Sequence, residues 1–246
     1  MSGHSKWHSI RHKKGANDAA RGKVFTRHAK LIAIAARSGG DPETNPALRL
    51  AIENSKKENM PNANIDRAIK KGTGEDKDGA QMMEILYEGY GPNGVAILVE
   101  VLTDNKNRTV SSVRSLFTKN GGSLGESGSV AFLFQKKGVI LLGTTGEEAE
   151  LAAIDSGAED VQEQDDMLEV ITEPTNLYAV KKSLEDAGFS VESAELSYIP
   201  GTTGDIAQEE SARKVINLLQ LLEEDDDVTR VFSNSDIPDE ILEQLL

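Results

Sequence analysis

The order of apolar segments between residues 138 and 197 leaves few folds open to this chain. Period-2 and helical patterns alternate there without a break. They predict a strand over 138–142, a helix over 147–156, strands over 160–163 and 167–172, a helix over 174–187 and a strand over 190–197. That β-α-β-β-α-β succession is the ferredoxin-like arrangement, one sheet covered by two helices. The stretch before it stops short. It predicts strands over 83–89 and 95–102 joined by the turn sequence Tyr90-Gly91-Pro92-Asn93-Gly94, a helix running to about Lys119, and a strand over 130–134. One helix leaves part of such a sheet bare. The missing pieces follow residue 200: an amphipathic helix over 208–224 with Val215, Leu218, Leu219 and Leu222 on one face, then a strand over 228–232. The expected class is α+β. Residues 79–135 and 201–246 would form a discontinuous ferredoxin-like domain, with residues 136–200 inserted into it as a second one.

Residues 1–74 have a different character, that of a basic helical domain. Asp18 can start a helix over 19–37 that ends at Ser38-Gly39-Gly40. Phe25, Ala29, Ile32 and Ala36 share one face of it, and Lys23, Arg27, Lys30 and Arg37 line the opposite side as a solvated cationic stripe. Asn45-Pro46 is an N-cap and first-turn pair for a second helix, which Pro61 closes. Asn64 is expected to cap a short third helix ending at Lys70-Lys71-Gly72, and residues 72–79 read as a linker. Ahead of all three lies a basic arm, residues 1–16, where Lys6, Arg11, Lys13 and Lys14 alternate with Trp7, His4, His8 and His12.

Charge separates the two regions sharply. The 246 residues carry 27 Lys+Arg and 41 Asp+Glu, a net of −14. Fifteen of the cations but only six of the acids fall in residues 1–74, a net of +9, which leaves −23 for the rest. A basic module on an acidic body is the footprint of a polyanion-binding protein. The chain has no cysteine, which excludes disulfides, thiolate zinc sites, Fe–S clusters and a cysteine nucleophile. Apolar runs such as Val95 to Val99 fall far short of a membrane span, and no apolar stretch follows the first residues as in a secretory signal. A cytoplasmic location without a membrane partner is expected.

The candidate nucleic-acid contacts are Lys6, Trp7, Arg11, Lys13, Lys14, Arg21, Lys23, Arg27 and Lys30. Cations at helical spacing can meet successive phosphates, and Trp7 offers a stacking surface for an unpaired base. His4, His8 and His12 would share a helical face, yet without a fourth ligand nearby they favour nucleic acid over a metal. No metal site and no cofactor are expected. The glycine-rich Gly121–Gly128 lacks the Lys-Ser/Thr ending of a phosphate loop and precedes a strand, so it reads as a tight connection. No nucleophile elbow or HExxH occurs. The polar run Thr103-Asp104-Asn105-Lys106-Asn107-Arg108-Thr109 exceeds what helix capping needs. Asp104, Asn105 and Arg108, with Tyr87 and Glu88, are expected to line a polar surface between domains. A remoter alternative is an enzyme whose site lies around Glu88, Asp104 and Arg108, marked by a strongly shifted carboxylate or tyrosine.

Several of these stretches together resemble the YebC/PmpR family, whose mitochondrial relatives include a translational activator of cytochrome c oxidase. The resemblance is carried by Gly3-His4-Ser5-Lys6-Trp7, Arg21-Gly22-Lys23, Asn45-Pro46, Ile65-Asp66-Arg67-Ala68-Ile69, Tyr87-Glu88-Gly89-Tyr90-Gly91-Pro92 and the 103–109 run. Gly121-Gly122-Ser123-Leu124-Gly125 and Gly128-Ser129-Val130 extend it, so it spans essentially the whole chain. It implies three domains and a cytosolic, non-enzymatic regulator of gene expression with no catalytic residues to carry over. Some members of the family are labelled DNA-binding transcriptional regulators and others act in translation. The first helix has no Asn or Gln at the exposed positions that read base edges in a major groove, and Trp7 and the histidines suit unpaired bases. Ribosomal RNA and the ribosome are therefore the favoured partners, with duplex DNA as the alternative.

Overall fold

The computed structural model describes residues 18–75, 82–164 and 166–245. In chain order, α1 (Asp18–Ala36), α2 (Pro46–Lys57) and α3 (Asn62–Thr73) precede the hairpin of β1 (Met83–Tyr90) and β2 (Ala96–Thr103). Next come α4 (Lys106–Lys119), β3 (Ser123–Leu124), β4 (Phe134–Leu142), α5 (Glu147–Asp155), β5 (Asp160–Gln164) and β6 (Met167–Thr172). The chain continues with α6 (Leu177–Asp186), β7 (Val191–Pro200), β8 (Gly204–Asp205), α7 (Glu209–Glu223), β9 (Val228–Ser233), β10 (Ser235–Asp236) and α8 (Asp239–Leu245). The class is α+β, as the segment order predicts.

Two compact units emerge. One is built from the described residues as far as Lys30, those between Glu75 and Lys136, and those from Ile199 on. Its antiparallel sheet has the order β3-β1-β2-β9. Alternate residues of β1 and β2 point to one face, where Tyr87, Ile97, Val99 and Val101 meet Val113 and Phe117 of α4 and Val215, Leu218 and Leu222 of α7. Each large apolar side chain buried this way contributes about 1.5–3 kcal/mol of transfer free energy. Ile237 and Leu242 join the same core. Helix α8 therefore closes the unit, an element the sequence reading did not anticipate. Its signals were Pro238 followed by Asp239 and Glu240, then apolar Ile241, Leu242 and Leu245 at helical spacing.

The second unit comprises Leu31–Glu75 and Lys136–Tyr198. Its sheet order, β5-β6-β4-β7, is the one a β-α-β-β-α-β chain adopts. Ile140, Leu142, Leu168 and Val170 face Ala149 and Ala153 of α5 and Leu177, Val180 and Leu184 of α6. Leu50 of α2 belongs to this core as well. Around it, Arg49 donates to the Tyr178 hydroxyl at 2.8 Å, Glu53 pairs with Lys181 at 2.9 Å, and Asn54 donates to the Ala194 carbonyl at 2.7 Å. The second helix is thus an integral part of the unit that holds residues 136–198.

Three local expectations are corrected. Helix α3 begins at Asn62, not Asn64, because Pro61 supplies the extended cap residue and its carbonyl accepts from the Asn64 and Ile65 N–H groups. It ends on Gly74, not Gly72: Gly74 takes the left-handed conformation at φ 76°, while a Cβ on Gly72 would lie 2.3 Å from the Ala33 carbonyl oxygen. The strand expected over 130–134 is instead a 3-10 turn at Ala131–Leu133, with extended structure starting at Phe134.

Candidate nucleic-acid interface

Of the nine expected contact residues, Lys6, Trp7, Arg11, Lys13 and Lys14 lie outside the described residues, as do His4, His8 and His12, and the Arg21 side chain is likewise not described. The remaining three sit on α1. Its apolar face behaves as its pattern predicts: Phe25 and Ala29 are half-buried, and Ile32 and Ala36 are buried. The opposite side is not the uniformly solvated stripe expected. Lys23 is exposed, but Arg27 and Lys30 are half-buried, and the Lys30 ammonium donates to the main-chain carbonyl of Asp226. The acidic turn Asp225–Asp227 thus uses one of the cations that the sequence pattern assigns to a ligand. Lys23 is left as the outward-facing member of the described three.

The polar run 103–109 finds its purpose inside the first unit. Asn105 caps α4, its side-chain oxygen accepting from the Arg108 N–H at 3.1 Å. The buried Thr109 hydroxyl donates to Asp227 Oδ2 at 2.7 Å, and Thr103 donates to the same oxygen at 3.1 Å. Arg108 Nη2 bridges Asp227 and Asp104, 2.9 Å from each. Burial pushes the Asp227 carboxyl up, but the donors Thr109, Arg108 and Thr103 outweigh it and hold the group below the usual carboxylate range. Asp227 is the residue that sequence reasoning missed, for its partners lie 118 to 124 positions away. The acidic run Asp225-Asp226-Asp227 ahead of a strand was its only local sign.

Tyr87 and Glu88 are consecutive in β1 and so point to opposite faces of the sheet. Tyr87 is in the helix-covered core, where burial, then the neighbouring Asp227 charge, raises its phenol above the usual value. Glu88 is also buried, and its carboxylate accepts from the N–H groups of Gly128 (2.6 Å), Val130 (2.8 Å) and Ala131 (2.7 Å). Desolvation would raise its pKa, yet the three donors together lower it. The anion held by the glycine-rich segment is therefore the protein's own. An ionised carboxylate with its acceptors engaged is the reverse of the raised-pKa general acid that an enzyme site at Glu88 would need. Among the described residues, no helix is long and apolar enough to cross a membrane.

Comparison with known proteins adds a second line of argument. A family model described as the TACO1/YebC protein N-terminal domain matches residues 5–75, and one described as the TACO1/YebC second and third domain matches residues 82–235. A protein of Persephonella marina is 53% identical over the full length of both chains, and one of Salinispora tropica is 49% identical over the full length of both. Each is named a probable transcriptional regulatory protein. Among solved structures, a conserved hypothetical protein from Aquifex aeolicus is 51% identical, with a TM-score of 0.85 over 92% of this chain and 94% of that one.

Proposed function

The chain belongs to the TACO1/YebC family, and from that premise we propose that it is a non-enzymatic regulator of gene expression that acts in translation, gripping ribosomal RNA through its basic N-terminal region. The observation that carries this reading is the partition of charge. Residues 1–74 hold a net +9 on a chain whose other residues hold −23. Such a distribution concentrates the attraction for a polyanion in the N-terminal region. Trp7 within the run of four cations adds a stacking group that an unpaired base can use and a duplex cannot. Of the described cations, Lys23 extends this surface along α1.

A second reading, binding of duplex DNA as a transcriptional regulator, is favoured by the names of the relatives. Sucrose-gradient co-sedimentation of the full chain with ribosomes, with and without an excess of duplex DNA, separates the two. Ribosome binding that survives the DNA chase supports translation. Binding that transfers to the DNA supports transcription and removes the proposal.

A further inference from the structure

The acidic body carries one helix of the opposite sign. Helix α4 has the sequence KNRTVSSVRSLFTK, with four cations and no acidic residue, inside a region that holds only twelve cations and a net charge of −23. Its inner face is settled: Thr109, Val113 and Phe117 are buried against the sheet. On the outer side Asn107, Ser111, Arg114 and Thr118 are exposed at spacings of four, three and four, which makes one stripe along the helix. Exposed Lys106 and Lys119 stand at its two ends.

Three of the four cations of α4 are not neutralised. Elsewhere Arg213 pairs with Glu209 at 2.8 Å, Lys214 with Glu210 at 2.7 Å, and Arg230 with Glu100 at 2.6 Å. Within α4, Arg108 is engaged by Asp227 and Asp104. Lys106, Arg114 and Lys119 have no ion pair among the described residues. Their spacing along the axis is roughly 12 Å from Lys106 to Arg114 and 7–8 Å from Arg114 to Lys119, at 1.5 Å rise per residue. Amide, hydroxyl and guanidinium groups on this stripe, with an ammonium flanking each end of it, one on either side, are donor types that hold the sugar-phosphate backbone without reading bases.

We propose that the outer face of α4, centred on Arg114 with Lys106 and Lys119, is a second nucleic-acid contact that binds the phosphate backbone of RNA, separate from the basic N-terminal region. The proposal rests on the RNA-binding reading and extends it to the acidic body. The stripe supplies position and affinity and leaves sequence selection to other parts of the complex.

The test is fluorescence-anisotropy titration of a labelled 30-nucleotide single-stranded RNA with the full chain over a range of salt. The variant Lys106→Gln/Arg114→Gln/Lys119→Gln is compared with a charge-matched control, Lys182→Gln/Arg213→Gln/Lys214→Gln, and with a chain lacking residues 1–17. Loss of three phosphate contacts makes the log–log salt slope shallower by about 2 and weakens binding about tenfold or more at moderate salt. The control keeps the wild-type slope. Unchanged binding by the α4 variant, with the truncated chain weakened, overturns the α4 contact and leaves the N-terminal one standing. Equal losses in variant and control also overturn it, since net charge alone then governs binding. Absence of RNA binding by the wild type overturns both readings. Matching thermal melts of the substituted chains show that each variant folds.

Discussion

Glu88 shows how a single side chain can decide the structure of a loop. Three backbone N–H groups of residues 128–131 would be left without partners if that turn closed on an apolar side chain, and a buried unpaired N–H is costly. The carboxylate takes all three, so the segment folds as a turn instead of the strand that Val130 to Phe134 suggests by composition. Glu88→Gln keeps the shape but turns an amide NH₂ toward N–H donors. We expect it to destabilise the protein by roughly 2–4 kcal/mol at neutral pH, measured by denaturant unfolding. The pH dependence has a definite sign. The folded-state pKa is depressed, so the stabilisation is complete above the unfolded carboxylate value of about 4.3 and is lost as pH falls through the lower folded value. The gap between wild type and variant therefore closes in acid. A gap constant from pH 7 to pH 3 would contradict the assigned role. Asn45 works in the same way: its oxygen caps α2 at Leu48 N–H while its amide serves the Ala35 and Gly39 carbonyls, both at 2.8 Å. Its capping role was legible in Asn-Pro; its link to the end of α1 was not, because that depends on two helices meeting.

At the scale of elements, spacing located the helices and strands well, and failed where packing overrode local preference. Gly72 looked like a helix stop because glycine so often is one. Its role is to let α3 lie against the Ala33 backbone, and the helix continues to Gly74. Gly72→Ala should improve helix propensity by about 1 kcal/mol and still lower stability by about 1–3 kcal/mol through the clash. A rise in the unfolding midpoint would contradict the close packing. The cationic side of α1 failed for a related reason. Helical projection gives the angle of a side chain, not what stands opposite it, and the Asp226 carbonyl that engages Lys30 lies far away in sequence. Lys23→Glu should therefore weaken RNA binding with little change in melting temperature. Lys30→Glu should lower the melting temperature, by about 1 kcal/mol in stability, as it sets a carboxylate against an acidic turn. Equal melting temperatures for the two variants would restore the solvated stripe.

For the whole molecule, the succession of segments revealed the α+β class, while the proposed ligand chemistry rests mainly on the charge distribution. The 103–109 run illustrates the boundary between the two. Read alone it suggested a polar surface between domains; in the fold it is mostly the joint between α4 and the turn before β9 within one unit, and exposed Arg114 and Lys119 lie farther along α4. Distant pairings such as Thr109 with Asp227 cannot be extracted from local spacing. The central claim is that the basic N-terminal region grips RNA in translation, and the salt dependence of ribosome binding tests it most directly. Binding of the full chain should weaken with a log–log slope of about −4 to −6, and removal of residues 1–17, with four cations, should make that slope shallower by about 3. An unchanged slope in the truncated chain, or no saturable binding to ribosomes at all, would contradict the account.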